Sequence, residues 1–508
     1  MKKIFLLLTV ITSALVSFSQ PENRKLFITD SLDNYVQSAM ADWKVPGLSL
    51  CVVKDGKVVL MKSYGVRETG GTDKVDDNTL FMIGSNTKAF TATAVAMLDA
   101  EKKLSLDDKV QKWLPDFTLY DPWVAKEATV RDLLCHRLGF ETFQGDFMYF
   151  DSDLSLAEVR EKMGQLKPQY SFRSKWGYTN CAFMTAGEVI PKVTGKTWAE
   201  FIRERIFTPL GMTNSLALSS EIPNAANKCS AHTVVDGKLF KIPYGKLDNL
   251  APAGSIASSV TDMSHWAIAL LGNGKWDGKD VIPPAAINLT RTPNSILGNG
   301  GHMFNKAHFS LYGLGFFLEE YAGRKIVAHT GGVNGFVTSF CLVPEEKLGI
   351  IVLTNTDMNN LYEALRNELE DAYLGLPYRN YSKAYLGFQQ GDEKEEAAQL
   401  KKIQDTLAMH PATALSLSSY AGEYLHPVYG KMNIKEEKGK LIMRFEHHHD
   451  MYGSMEPLGG NRFFCTYSSA IYGRKKLEFT VENNKVKSLR VRVADFVEFT
   501  PYDFEKVK

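Results

Sequence analysis

Residues 85–104 read SNTKAFTATAVAMLDAEKKL, and this stretch decides how the rest of the chain is interpreted. The run after Lys88 is apolar on nearly all sides, which predicts a helix buried in a core. Ser85 then lies at the N-terminus of that helix, and Lys88 lies one turn later on the same face. A serine needs a base to become nucleophilic, and a lysine in a partly dry pocket has a lowered pKa. The pair therefore fits a nucleophile and its base. The alternative for this motif alone is a helix cap followed by a solvated lysine.

A second motif, Tyr178-Thr179-Asn180, lies in KWGYTNCAFM at residues 175–184. In an extended chain, side chains two residues apart point to the same side. Tyr178 could then relay a proton, and Asn180 could hydrogen-bond a substrate amide. The alternative is an ordinary helix start, with Thr179 or Asn180 as the cap and Tyr178 packed.

A third motif, His329-Thr330-Gly331-Gly332, comes at the end of a predicted strand. Glycine allows a substrate backbone to approach closely. The N–H of Gly332 could pair with that of Ser85 to bind an oxyanion. The alternative is a glycine-rich strand end with a structural histidine.

Taken together, the three motifs resemble the penicillin-binding protein and class C β-lactamase family. That family carries S-x-x-K, Y-x-N and then K-T-G or H-T-G, in this order. A related set in class A enzymes has S-D-N, which this chain lacks. Three further segments are similar to the same family: RDLLCHRLGF at 131–140, PLGM at 209–212 and PAGSIASSVTDM at 252–263. The resemblance covers about residues 25–380.

This resemblance implies a role for each matching residue. Ser85 is the acylated nucleophile, Lys88 is the base in acylation, and Tyr178 shuttles protons, with Lys88 versus Tyr178 left open for each step. The residues implied in substrate binding are Asn180, His329, Thr330, Gly331 and Gly332. No cofactor and no metal is implied.

Position 329 departs from the lysine found in many members of the family. A histidine weakens the fixed cation for a substrate carboxylate, which argues against strong β-lactamase activity. If His329 faces such a carboxylate, its ordinary pKa of about 6.5 predicts tighter binding of carboxylate substrates as the pH falls.

The fold class expected is α+β, of the β-lactamase/DD-peptidase type. Apolar residues at helical spacing predict a helix that includes Leu32, Val36 and Trp43. Asp55-Gly56 predicts a hairpin, and strand patterns return in residues 325–356. These patterns predict one antiparallel sheet that is built from both chain ends and flanked by helices. The helical middle of the chain is expected to form a second lobe, with a cleft between the two lobes.

Four segments are expected along the chain: a signal peptide at 1–19, a hydrolase domain at 20–385, a charged linker at 386–415 and a C-terminal domain at 416–508. The signal peptide follows from a basic start, a short apolar run and small residues before the cut. The last domain alternates apolar and polar residues, which predicts a small all-β barrel. It resembles a lipocalin-like domain, and after a charged linker it is expected to be separable.

Composition and hydropathy limit the classes of binding partner and the cellular compartment expected for this protein. The net charge of the 508 residues is +1, which gives no basic field for nucleic acid. No later segment is apolar enough to span a membrane. The protein is therefore expected in the periplasm or secreted, with a small-molecule or peptide acyl substrate and an oligomeric state left open. The six cysteines are expected to be buried free thiols. His447-His448-His449-Asp450 is interpreted as a polar strand end, with a metal site as the alternative.

The function predicted is an exported serine hydrolase that forms an acyl-enzyme from an amide, ester or lactam, of the DD-peptidase, D-aminopeptidase, esterase or β-lactamase type. One alternative is a penicillin-binding sensor that does not turn over. Another is a cell-envelope interaction protein that uses its β domain. The α/β-hydrolase elbow G-x-S-x-G, the zinc motif H-E-x-x-H and the Walker A pattern are all missing from the sequence.

Overall fold

The computed structural model describes residues 27–507, and its first domain is built on one eight-stranded antiparallel sheet. The strand order is β2-β1-β14-β13-β12-β11-β10-β9, so strands from the two ends of the first domain pair with each other near one edge of the sheet. The strands of the first domain are β1 Gly47–Lys54, β2 Lys57–Gly65, β3 Phe81–Met82, β4 Ala231–Val235, β5 Lys238–Ile242, β6 Ala257–Ser258, β7 Lys275–Trp276, β8 Lys279–Asp280, β9 Ser295–Gly298, β10 Ser310–Tyr312, β11 Phe317–Tyr321, β12 Arg324–Val333, β13 Phe336–Val343 and β14 Leu348–Thr354. The hairpin predicted at Asp55-Gly56 joins β1 to β2, and both residues have positive φ.

Helices cover both faces of this sheet and form the second lobe. They are α1 Leu32–Trp43, α2 Thr87–Ala100, α3 Val110–Trp113, α4 Pro122–Glu127, α5 Val130–Leu134, α6 Asp146–Tyr149, α7 Leu156–Gln165, α8 Asn180–Thr194, α9 Trp198–Ile202, α10 Ala251–Gly254, α11 Val260–Leu271, α12 Pro284–Thr290 and α13 Leu361–Leu374. The apolar sides of α1 and α13 pack with β1 and β14 in one hydrophobic cluster, while α11 packs against the same two strands outside that cluster. The predicted α+β fold, with a sheet flanked by helices and a helical lobe, is confirmed.

Helix α2 runs through the helical lobe, and residues 87–98 are buried without exception. Apart from Lys88, its side chains over that stretch are small or apolar, so every face of the helix can pack. The ring of Phe90 stacks on Trp266 of α11, with ring centroids 4.2 Å apart. Because this helix is packed on all sides, the residues at its N-terminus are held in fixed positions.

The C-terminal domain is a closed eight-stranded barrel in which β15 pairs with β22. Its elements are β15 Gly422–His426, β16 Gly430–Glu437, β17 Lys440–Phe445, β18 Tyr452–Gly459, β19 Arg462–Tyr467, β20 Arg474–Glu482, β21 Lys485–Val491 and β22 Tyr502–Lys506. Apolar residues on alternate positions, such as Met432 and Ile434, point into the barrel core, as the two-residue period predicts. The predicted barrel is confirmed.

The connection between the two domains is largely helical. Residues of the predicted linker belong mostly to one helix, α14 Tyr381–Ala408, and a short helix α15 Leu417–Tyr420 precedes the barrel. The barrel also packs directly on the first domain. The ring of Phe147 in α6 contacts four rings of the barrel, those of Tyr429, Phe445, His448 and Tyr472. One buried core therefore continues across both domains, which a charged connecting segment does not reveal.

The predicted signal peptide, residues 1–19, lies outside the described residues. Within residues 27–507, no helix is both long enough and apolar enough to cross a membrane. All six cysteines are described, and each is a buried free thiol, as predicted.

Candidate active site

Ser85 lies in a short 3-10 turn, Gly84–Asn86, directly before α2. Lys88, in the first turn of that helix, is fully buried, with no exposed side-chain surface. Its Nζ lies 3.0 Å from Ser85 Oγ, 2.5 Å from Asn180 Oδ1 and 2.8 Å from the carbonyl oxygen of Ala253. The solvated-lysine alternative does not fit this environment. The structure brings the first two motifs together.

The contacts of Lys88 suit both of its protonation states, because an ammonium can donate to all three oxygens. An uncharged amine has two N–H groups and one lone pair. Asn180 Oδ1 and the Ala253 carbonyl can accept only hydrogens, so they take the two N–H groups. The lone pair is then left for the Ser85 hydroxyl. Burial lowers the Lys88 pKa to about 7, and the carboxylate of Asp146 opposes this change only in part.

Asn180 is held in place by a buried acid. Its Nδ2 donates to Asp146 Oδ2 at 2.5 Å, while the Tyr149 hydroxyl donates to the other carboxylate oxygen. Burial raises the pKa of Asp146 to about 7, against the lowering effect of these two hydrogen bonds and of Lys88. A chain of contacts thus runs from Asp146 through Asn180 to Lys88 and Ser85.

Tyr178 covers Lys88 from the other side. The Lys88 Nζ lies 4.6 Å from the centroid of the Tyr178 ring. The Tyr178 hydroxyl is buried and has no well-formed hydrogen bond among the described residues, although Ser85 is near enough to affect its ionisation. Burial raises the Tyr178 pKa far above its ordinary value, so the phenol keeps its proton at neutral pH. The alternative of an ordinary helix start fits in part, because α8 begins at Asn180. However, neither Thr179 nor Asn180 caps this helix with its side chain.

The third motif lies on β12, against the turn that carries Ser85. A Cβ on Gly331 would lie 1.8 Å from the carbonyl oxygen of Ile83, so no side chain fits there. A Cβ on Gly84 would lie 2.8 Å from the backbone nitrogen of Gly332, and the φ of Gly84 is 53°. Glycine at these positions lets the strand and the turn approach closely. The backbone nitrogen of Gly332 therefore lies beside the turn that carries Ser85, and its role in binding an oxyanion stays a prediction.

His329 is neutral in this site. Its side chain is 2% exposed, its Nδ1 donates to the Thr330 carbonyl at 2.6 Å, and its Nε2 lies 3.3 Å from the hydroxyl of Tyr312. Burial, and then the nearby Lys88, lower the pKa of His329 to about 3. The sequence-based expectation of a histidine that gains charge near pH 6 used the pKa of an exposed side chain, and that value does not apply here.

Two residues of the site were not predicted from the sequence. Asp146 holds Asn180, and His136 accepts a 3.0 Å hydrogen bond at Nδ1 from the Thr179 backbone N–H. His136 lies in the family-like segment at 131–140, which was a usable signal. Asp146 lies in no motif, and only the fold brings it to Asn180.

Other candidate features do not gather catalytic groups. His447 and His449 both contact Asp153 of the first domain, at 2.9 and 2.7 Å, but within residues 27–507 no group of three or more such side chains has an arrangement that could hold a metal ion. An open depression of about 390 Å³ is lined by Asp33, Lys62 and neighbouring residues, and it contains none of the predicted site residues.

Comparison with known proteins gives this geometry a family. The Beta-lactamase family model matches residues 32–374. The chain belongs to the beta-lactamase family. A second family model, a domain of unknown function (DUF3471), matches residues 408–506, which include the barrel. The family resemblance expected from the three motifs is confirmed.

Relatives in this family include hydrolases. The Unguisins hydrolase ungD' of Aspergillus campestris is 28% identical over 433 residues, which cover 80% of this chain and 78% of that protein. The octameric penicillin-binding protein homologue from Pyrococcus abyssi has a similar fold, with a TM-score of 0.56 and 23% identity, covering 90% of this chain and 97% of that one. The D-stereospecific amidohydrolase from Streptomyces sp. has a TM-score of 0.53 and 21% identity, covering 67% and 96% of the two chains.

The neutral form of Lys88 should control the pH dependence of this beta-lactamase family member. A base acts only when unprotonated, so kcat/KM for an uncharged ester should rise about tenfold per pH unit below about pH 7 and level off above it. The limb should follow the pKa of about 7 that burial gives Lys88. Because Asp146 titrates in the same range, the measured value belongs to the pair. Lys88→Ala should flatten the profile, and an unchanged limb in that variant would contradict this role.

The neutral His329 leads to a second prediction. The ratio of kcat/KM for a carboxylate-bearing ester to that for a matched neutral ester should stay constant between about pH 5.5 and 8.5, because the lowered pKa keeps His329 uncharged throughout. Measuring both esters on one enzyme preparation cancels the titration of Lys88. A ratio that climbs toward low pH would mean that His329 does gain a charge beside the substrate.

Proposed function

We propose that this protein is an exported serine hydrolase that cleaves an amide or ester carbonyl through an acyl-enzyme on Ser85. One observation carries the proposal most strongly: a fully buried lysine amine 3.0 Å from a serine hydroxyl, with its two N–H groups already accepted by other oxygens. An amine in this environment can take the serine proton at neutral pH.

The reaction proceeds in two steps. Ser85 Oγ attacks the carbonyl carbon and its proton passes to Lys88 Nζ, while the N–H groups of Ser85 and Gly332 stabilise the oxyanion. The C–N or C–O bond then breaks, and the leaving group takes a proton by way of Tyr178. A water molecule next attacks the acyl carbonyl carbon and its proton passes to the Lys88–Tyr178 pair. The bond between that carbon and Ser85 Oγ then breaks, the carboxylic acid leaves, and the proton returns to Ser85 Oγ. Asn180 binds the substrate amide while it positions Lys88, and His329, Thr330 and Gly331 line the strand side of the cleft.

Amides and esters suit this site better than β-lactams. His329 is a neutral group at the position where many relatives in the wider family carry a lysine, so the site lacks that fixed cation for a lactam carboxylate. The name of one protein of similar fold, D-stereospecific amidohydrolase, supports amide hydrolysis, and the name of one relative of similar sequence, Unguisins hydrolase, supports hydrolysis. We propose a peptide amide as the natural substrate, with activity of the D-aminopeptidase or DD-peptidase type. On the basis of the Y-x-N motif, we propose chemistry like that of the class C β-lactamases.

We propose that the protein is exported, on the basis of the first residues of its sequence. Lys2 and Lys3 precede an apolar run that is too short to span a bilayer, which is the layout of a secretory signal. The protein would then act in the periplasm or outside the cell. The intact set of Ser85, Lys88 and Tyr178 favours turnover over the alternative of a sensor that stays acylated.

A substrate panel with site variants tests the proposal. The panel contains a p-nitrophenyl ester, a D-amino-acid p-nitroanilide and a chromogenic cephalosporin. Ser85→Ala should reduce hydrolysis to background. Lys88→Ala and Tyr178→Phe should each lower kcat by about 10² to 10⁴, because each removes a proton-transfer group. The double variant should be barely worse than the poorer single variant, since the two residues act as one unit.

Ser418→Ala serves as the matched control, because this exposed serine lies just before the barrel and outside the cleft. It should keep wild-type rates. Full activity in Ser85→Ala would disprove the proposed nucleophile. Multiplicative losses in the double variant would show that Lys88 and Tyr178 work independently. A cephalosporin cleaved faster than the other substrates would contradict the preference for amides and esters.

A further inference from the structure

The connection between β21 and β22 leaves the barrel and reaches the active-site face of the first domain. Within it, residues 494–499 form a turn in which the N–H groups of Val497 and Glu498 donate to the carbonyl of Ala494. Val497 and Glu498 are buried, whereas Phe496 and Phe499 remain 38% and 42% exposed. This connection is therefore anchored by two residues and presents two aromatic rings.

Glu498 fixes the turn to the first domain. One carboxylate oxygen accepts from the Gly145 backbone N–H at 2.7 Å and from the Tyr502 hydroxyl. The other oxygen accepts from the Phe147 backbone N–H at 2.9 Å and from the Tyr429 hydroxyl at 2.9 Å. The two backbone donors flank Asp146, the acid that holds Asn180. The barrel is thus joined to the chain of contacts that ends at Ser85.

Phe496 lies beside the strand that lines the cleft. A Cβ on Gly332 would lie 3.5 Å from a ring carbon of Phe496, which is ordinary van der Waals distance. The ring also makes an edge contact with Phe150, with centroids 6.5 Å apart. A substrate carbonyl bound at the Gly332 N–H would therefore place its neighbouring groups next to Phe496.

Phe499 extends the same surface toward Tyr178. Its ring stacks on Phe143, with centroids 5.5 Å apart, and Phe143 packs edge-on against Tyr178 at 5.7 Å. The Phe143 backbone N–H donates to the Tyr178 carbonyl at 2.8 Å, which fixes the ring stack to the second motif. The rings of Phe143 and Phe150 are partly exposed, as are the two from the barrel.

We propose that residues 494–499 of the barrel form one wall of the substrate cleft, and that Phe496 and Phe499 select substrates with a large apolar or aromatic side chain next to the scissile carbonyl. The inference rests on the proposed function and adds its substrate class. Partly exposed aromatic rings gain contact area when an apolar group covers them. The neutral His329 on β12, the strand that also carries Gly332, leaves this side of the pocket without a cation that would favour a charged group.

The test uses the full-length protein and two esters with the same leaving group, p-nitrophenyl acetate and p-nitrophenyl 3-phenylpropanoate. Wild-type enzyme should prefer the aromatic ester in kcat/KM. Phe496→Ala combined with Phe499→Ala should lower the ratio of the aromatic to the acetyl ester by about 10- to 100-fold, the range for changes in an apolar pocket. Phe496→Leu with Phe499→Leu, which retains apolar surface and disturbs packing less, should lower it by a smaller factor.

Phe388→Ala is the matched control, because Phe388 is 65% exposed and lies on α14, which carries none of the cleft residues named above. Its ratio should equal that of the wild type. A double variant that affects both esters equally would overturn the inference while Ser85-dependent hydrolysis stands. A wild-type enzyme that turns over neither ester and leaves Ser85 unmodified would overturn both the proposed function and this inference.

Discussion

Lys88 has no access to water, and the arrangement of the site follows from that fact. An ammonium ion in such a place is costly, so burial favours the neutral amine and brings its pKa to about 7. The fold produces this burial by making α2 apolar on every face and by closing the pocket with Tyr178 and Asn180. The packing that stabilises the helical lobe therefore also lowers the pKa of Lys88, so that its amine can act as a base.

A second constraint is the close approach of β12 to the Ser85 turn. Gly331 has no room for a side chain, and Gly84 has a positive φ, so both backbones can lie against each other. The barrel adds a third element through Glu498, whose carboxylate holds the backbone on both sides of Asp146. Sheet, helical lobe and barrel thus each contribute residues that fix the surroundings of Ser85.

The sequence predicts those parts of this arrangement that depend on local patterns. The buried helix after Ser85, the hairpin at Asp55-Gly56 and the alternating strands of the barrel are all encoded by neighbouring residues. Asp146 and Glu498 carry no such signal, because Glu498 meets its backbone partners across 351 and 353 positions of the chain. The ionisation of His329 was also out of reach, since its pKa depends on burial that only the folded structure defines.

Trapping the covalent intermediate tests the central claim most directly. The wild-type protein is mixed with excess p-nitrophenyl ester, quenched in acid during turnover, and examined by intact-protein and peptide mass spectrometry. Acyl transfer to Ser85 predicts a mass increase of one acyl group confined to the peptide that carries Ser85, and its disappearance once the ester is exhausted. An acyl group on another residue, or turnover in which no covalent adduct is ever trapped, would contradict it.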